Sequence, residues 1–251
     1  NSSLARAGAG GVLTMRELLD IAEVLRVIRS IYDWRFSQPG ADSPLDVYFS
    51  SLVPNRMLED KITTSIISED EIADAARREL ADIRRHLRIA NEKVRQSLQK
   101  IVQSQSYAKI LQEQIITIRN GRYVVPVKAE HRQSIPGLVH DISATGQTLF
   151  IEPMGSVNAN NEIRELESKE KAEIERILRA LSAEAASFAN DILSDFNVLT
   201  QLDLIFAKAK LSYDMDAGEP MLNNDGRVVL LRARHPLLDR RSIRSSRSAG
   251  G

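Results

Sequence analysis

Between residues 70 and 212 the chain has one long stretch that cannot be helical, Arg119–Pro153. Strand-forming residues alternate in it, Tyr123, Val125 and Val127 against Arg122, Val124 and Lys128. Turn signals fall at Asn120-Gly121, Pro136-Gly137 and Thr145-Gly146. On either side lie long charged runs with apolar residues three and four apart. Leu80, Ile83, Leu87, Ala90, Val94 and Leu98 open a seam that continues to Ile115 without Gly or Pro. It predicts a first helix within 71–118, capped at Asp74, and a helix of that length would be roughly 65 Å long at 1.5 Å per residue. Ile163, Leu166, Ile177, Leu181, Ile192 and Leu202 predict a second helix over 156–213, with Glu170 as a polar interruption. The pattern specifies two antiparallel rods joined by a small β module over 119–155.

The remainder reads as helical. Thr14 and Glu17 form a capping box with Leu13 and Leu18 as its staple, opening a helix that runs to about Phe36. After a break at Gln38-Pro39-Gly40 and Ser43-Pro44, shorter helices are expected near 44–52 and 55–64. Residues 1–70 form the N-terminal part of a helical core, its first eleven loose, and Ile66-Ile67 a short extended piece. Residues 214–238 include a strand at Arg227–Leu231, and 239–251 read as a non-native or disordered tail. The fold class is mainly α: a helical core and two long antiparallel coiled-coil helices, capped by a small antiparallel β module.

Charge and composition narrow the function. Lys plus Arg equals Asp plus Glu at 34 each, so any polyanion must be held by a local patch. No cysteine is present, which excludes disulfides and thiolate chemistry. No apolar run reaches a membrane span and no signal peptide opens the chain, so a cytoplasmic protein is expected. His86, His131, His140 and His235 share no metal-ligand spacing, and Ser134 or Ser143 with His140 lacks the surroundings of a nucleophile. Residues 77–100 are basic and 173–196 acidic, which suits pairing between the two rods before nucleic-acid contact. Asn160 and Asn161 suit the turn into the second rod.

The module is the candidate site. Arg119, Arg122, Lys128, His131 and Arg132 place cations on its first strand and following loop, with Glu130 as the lone acid between 119 and 137. Arg122 and Lys128 share a strand face, and Gly121 and Gly137 would admit a phosphate close to the backbone. Such a set suits phosphate contact. It equally suits a β edge kept soluble by its cations, on a structural arm whose tip binds protein.

RNGRYVVPVKAEHR, GLVHDISATGQTLFIEP and NNEIREL, in that order, resemble the bacterial MutS-II family, MutS paralogues without the mismatch-reading domains. The likeness covers about Gly10 to Leu238. It implies that the rods are lever helices and the module a clamp that touches DNA backbone, duplex or branched, which decides between the two readings above. It further implies a homodimeric parent with an ATPase domain using ATP and Mg and an Smr-type endonuclease. The family restrains homologous recombination and is linked to collided ribosomes. ARHPLL, residues 233–238, resembles the family's entry to the ATPase domain, yet no Walker A loop occurs in the chain. The stretch itself is therefore expected to bind no cofactor and to catalyse nothing.

Overall fold

The computed structural model describes residues 2–37, 40, 42–230 and 233. Its elements are α1 (Ser2–Gly8), α2 (Met15–Ser37), α3 (Asp46–Phe49), α4 (Arg56–Ser65), β1 (Ile66–Ser68), β2 (Glu71–Ile72) and α5 (Arg78–Val102). They continue as β3 (Thr117–Arg119), β4 (Arg122–Lys128), β5 (Gly137–Ile142), β6 (Thr148–Pro153), α6 (Met154–Ser187) and α7 (Ala189–Asp214). Two compact units result, Asn1–Glu23 with Met57–Ser187, and Val24–Arg56 with Phe188–Gly251. The fold is mainly α with small antiparallel sheets, as the periodicity predicts.

In the first unit α5 and α6 pack as an antiparallel pair. Leu80, Ala90, Val94, Leu98 and Val102 are buried along α5, and Ile163, Ile177, Leu181 and Ala185 along α6. Two polar layers interrupt this seam. Arg84 donates from Nε to Glu170 at 2.6 Å and from Nη1 to Asp74 at 2.6 Å and the Ile72 carbonyl at 2.7 Å. Glu173 lies next to it, buried, between Arg77 at 3.3 Å and Arg176 at 2.8 Å. Glu170 thus interrupts the apolar pattern because a cation from the other helix faces it. Asp74 holds Arg84 and does not cap α5, which starts four residues later, after the 3-10 turn Asp74–Ala76.

The first helix is shorter than its periodicity predicts. It ends at Val102, because the edge of β4 recruits the next segment. Gln112 N–H donates to the Pro126 carbonyl at 2.9 Å, and Lys128 N–H to the Ile110 carbonyl at 3.0 Å. β3 covers only Val124 to Arg122, so these β4 groups would otherwise lack backbone partners. Leu111 keeps the apolar spacing but is buried by the sheet. The second helix is also divided: at Phe188 the backbone leaves the helical region, giving α6 and α7. The N-terminus is ordered where a loose segment is expected. α1 buries Leu4 and Ala7 and packs on α6, and Leu13 N–H donates to Ser182 Oγ at 2.8 Å.

The capping box forms as expected: Glu17 N–H donates to Thr14 Oγ1 at 3.2 Å and Thr14 N–H to Glu17 Oε2 at 2.9 Å. The Ser3 hydroxyl, then the Thr14 N–H, then Arg6 hold the Glu17 carboxyl down to about 2 from its ordinary 4.5. A depressed carboxylate contributes its stability in full above the unfolded value and loses it as the pH falls through the folded one. Substituting Glu17→Gln is therefore expected to lower the melting temperature at neutral pH, with the difference shrinking from about pH 4.5 to 2. Paired melts across that range check it; a difference independent of pH would rule out the ionised cap.

In the second unit Arg35 clasps Asp46 through Nε and Nη2 at 2.6 and 2.7 Å, and Trp34 meets Phe49 edge-on at 6.3 Å. Asp195 is buried and accepts the Val53 N–H at 3.2 Å, and burial pushes its carboxyl up. Residues 227–230 form no strand. Gln38, Pro39, Leu231, the ARHPLL phrase apart from Ala233, and the tail lie outside the described residues.

Candidate nucleic-acid interface

The β module is a four-stranded antiparallel sheet of order β3-β4-β6-β5. β3 and β4 join through Asn120 and Gly121 at φ 51° and 71°, the two positive angles that a tight hairpin needs and that Asn-Gly favours. Strand alternation gives the sheet two unlike faces. Val125, Val127, Leu149 and Ile151 point into a core with Ala90, Val94, Leu98 and Val102 of α5 and Ile163 of α6. By register, Arg119, Arg122, Lys128, Thr148, Phe150 and Glu152 share the other face.

Glu152 organises that second face and is fully buried. Arg122 Nη1 donates to its two oxygens at 2.8 and 3.0 Å, and Asn160 Nδ2 to Oε1 at 2.8 Å. His140 Nε2 lies 2.5 Å from Oε2. His140 reaches it because β5 carries a bulge between Val139 and Asp141, which turns the extra residue toward the carboxylate. Arg122 Nη2 also donates to Asn161 at 2.6 Å, while Asn160 accepts the Tyr123 N–H at 3.2 Å and returns a bond to its carbonyl at 3.1 Å. The Tyr123 hydroxyl donates to Asn91 of α5 at 2.8 Å. This network fastens the sheet to both helices.

The five predicted site residues therefore divide by role. Arg122 is only 15% exposed and is neutralised by Glu152, so it positions the sheet and presents no free charge. Arg119 lies with its guanidinium carbon 4.2 Å from the centre of the Phe150 ring and Nε 3.3 Å from Asp141. His131 is 3.6 Å from Glu130. Lys128 and Arg132 differ from these three. Their polar ends donate to the backbone carbonyls of Lys109 at 3.0 Å and Gly137 at 3.2 Å, and among the described residues neither has a carboxylate within ion-pair distance.

Arg122 and Lys128 share a face but sit six residues apart, roughly 20 Å along an extended strand. They do not form one patch. Lys128 instead opens the turn Ala129–Ser134 that carries His131 and Arg132. It also lines a shallow depression of about 380 Å³ with Gln112, Glu130, Thr145, Gly146 and Gln147. Lys109, exposed beside Lys128 and without an acidic partner among the described residues, is a further cation of this rim. Its place in a helix-like spacing hides it in the sequence. Asn160, Asn161 and Glu152 give no local signal either, since their partners lie up to 39 residues away. Gly137 has no side chain for a packing reason, because β6 backbone occupies that space.

Fold and site together define a helix pair that carries a small antiparallel sheet with a partly unneutralised cationic rim. No family model matches the chain. It is 45% identical over 244 residues to a protein named endonuclease MutS2 from Acetivibrio thermocellus, covering 96% of this chain and 31% of that protein. It is 46% identical over 242 residues to the protein of that name from Clostridium botulinum, and 47% over 238 residues to one from Pelotomaculum thermopropionicum. Over nearly its whole length the chain is a MutS-II family sequence. It spans about a third of the length of the curated relatives it matches.

Proposed function

We propose that the chain binds the phosphate backbone of DNA through the rim of its β module, with Lys109, Lys128 and Arg132 as the main contacts and Arg119 and His131 beside them. The observation that carries this is the absence of any carboxylate within ion-pair distance of Lys128 or Arg132 among the described residues, on a sheet bolted rigidly to two helices. Free cations on a fixed scaffold can replace counterions along a duplex without reading its bases. No helix among the described residues is long and apolar enough to cross a membrane.

In this reading the helix pair and module act as lever and clamp within a longer homodimeric protein. ATP and Mg binding and strand cleavage belong to the remaining two thirds of the relatives' length. Branched DNA is a second substrate to duplex, and a ribosomal surface offers the same phosphate chemistry. Limiting homologous recombination would follow from clamping branched intermediates.

A second reading takes the module as a protein-binding tip. Ile118, Leu138 and Ile142 on the edge strands favour it, at 53%, 45% and 56% exposed. Salt separates the two. Titrating the chain with duplex DNA, branched DNA and ribosomes at two salt concentrations is expected to show steep weakening with salt. Changing Lys109, Lys128 and Arg132 to Gln together should lower the salt slope by roughly two to three, about one per lost contact. Lys109 is exposed, and Lys128 and Arg132 are half-buried with one backbone hydrogen bond each, so the folding cost should stay within about 1–3 kcal/mol. Unchanged affinity and slope in a normally folded variant would sink the proposal and leave the protein-binding tip.

A further inference from the structure

We infer that the second half of α5 forms another contact surface for nucleic-acid backbone, built from Lys93, Arg95 and Lys100. This rests on the nucleic-acid reading of the β module and extends it along the helix.

The basic residues of α5 divide at mid-helix. In the first half each exposed or part-buried cation has an acid nearby. Arg78 and Arg85 lie 4.0 and 3.5 Å from Asp82, Arg84 meets Glu170 and Asp74, and Arg88 is 3.8 Å from Asp74. Acids within the first unit account for these residues, chiefly Asp82 on the same helix and Asp74 before it rather than the 173–196 stretch of the other rod. Of these arginines Arg84 reaches α6, at Glu170. Such pairing does not explain the second half. Lys93, Arg95 and Lys100 are exposed, and among the described residues none has a carboxylate within ion-pair distance. Glu92, which accepts from Gln96 at 2.9 Å, keeps its charge at the start of this half, and no acid follows in the sequence until Glu113.

The geometry suits a long anionic ligand. Lys93 and Lys100 are seven residues apart, which places them on one side of the helix about 10.5 Å apart along its axis. Arg95 lies about 200° round the helix from Lys93 and flanks that side from the sheet, its guanidinium carbon 5.9 Å from the centre of the Tyr123 ring. Exposed Gln99 and Gln103 add neutral donors of the kind that backbone readers use. Beyond Val102 the acid-free stretch carries Lys109 and then Ile110–Gln112, which pair with β4. Along the chain, no acidic residue separates Lys93 from Lys109 at the rim of the module. An extended phosphate backbone matches such a run better than a compact anion.

The test compares three forms of the chain: unaltered, Lys93→Gln/Arg95→Gln/Lys100→Gln, and Lys109→Gln/Lys128→Gln/Arg132→Gln. Each is titrated with a DNA duplex of about 30 base pairs across a salt series, with single α5 variants alongside. The α5 triple variant is expected to keep its melting temperature, bind roughly tenfold or more weakly at 0.1 M salt, and lose roughly two to three units of salt slope. An α5 variant with unchanged affinity and slope would overturn the inference while a weakened module variant leaves the module's role standing. If neither variant differs from the unaltered chain, both fail. Polyglutamate bound as tightly as the duplex, with the same dependence on these residues, would also overturn it, by showing attraction to any polyanion.

Discussion

Replacing Glu152 with alanine is expected to cost about 3–5 kcal/mol, because removing one partner of a buried ion pair leaves the other charge uncompensated. Glu152 is wholly buried, and Arg122, His140 and Asn160 all turn toward it. Its loss would strand Arg122 at 15% exposure with Asn161 as its one remaining side-chain partner among the described residues, and would free the bulge that aims His140. The module should loosen from α6 first, since Asn160 ties Glu152 to the Tyr123 backbone. Urea unfolding of Glu152→Ala and Asp141→Ala makes a clean comparison. Asp141 also pairs with an arginine, Arg119, but both side chains are well exposed, at 46% and 39%. An exposed pair of that kind contributes about 0–1 kcal/mol. Similar midpoints for the two variants would remove Glu152 from its organising role.

That node also marks where sequence reading stops. The capping box at Thr14 and Glu17, the Asn120-Gly121 hairpin and the seam of α5 and α6 all depend on neighbours within a few residues, so their spacing alone declares them. Arg122 does not depend on neighbours. In sequence it is one more cation on a strand edge, equal to Lys128; what separates them is a carboxylate 30 residues away on β6. The end of α5 follows the same logic. Residues after Val102 keep helical spacing and contain no Gly or Pro, yet unpaired groups on β4 compete for their backbone and win. Local pattern states what a segment favours; distant backbone groups needing partners decide what it does. α1 shows the converse, a short segment of small residues whose order comes from burying Leu4 and Ala7.

Gly137→Ala is expected to destabilise the chain at or beyond the top of the roughly 1–3 kcal/mol usual for overpacking. A Cβ there would lie 2.2 Å from the Glu152 carbonyl oxygen and 2.8 Å from Ile151 Cγ2. The first atom is backbone in a paired strand and cannot swing aside, so the start of β5 must move away from β6. That shift would stretch the bond from Met154 N–H to the Pro136 carbonyl, now 2.9 Å, and displace the Gly137 carbonyl that holds Arg132 at 3.2 Å. The variant should therefore melt early, exchange its Met154 amide faster, and bind phosphate more weakly through a misplaced Arg132. Gly121→Ala is the control. Its φ of 71° penalises a side chain by about 1–2 kcal/mol, but a Cβ there meets nothing within 4 Å. Loss at Gly121 should leave the Met154 amide protected and Arg132 in place. If the two variants instead show equal melting shifts and equal Met154 exchange, close approach of β6 is not what requires glycine at 137.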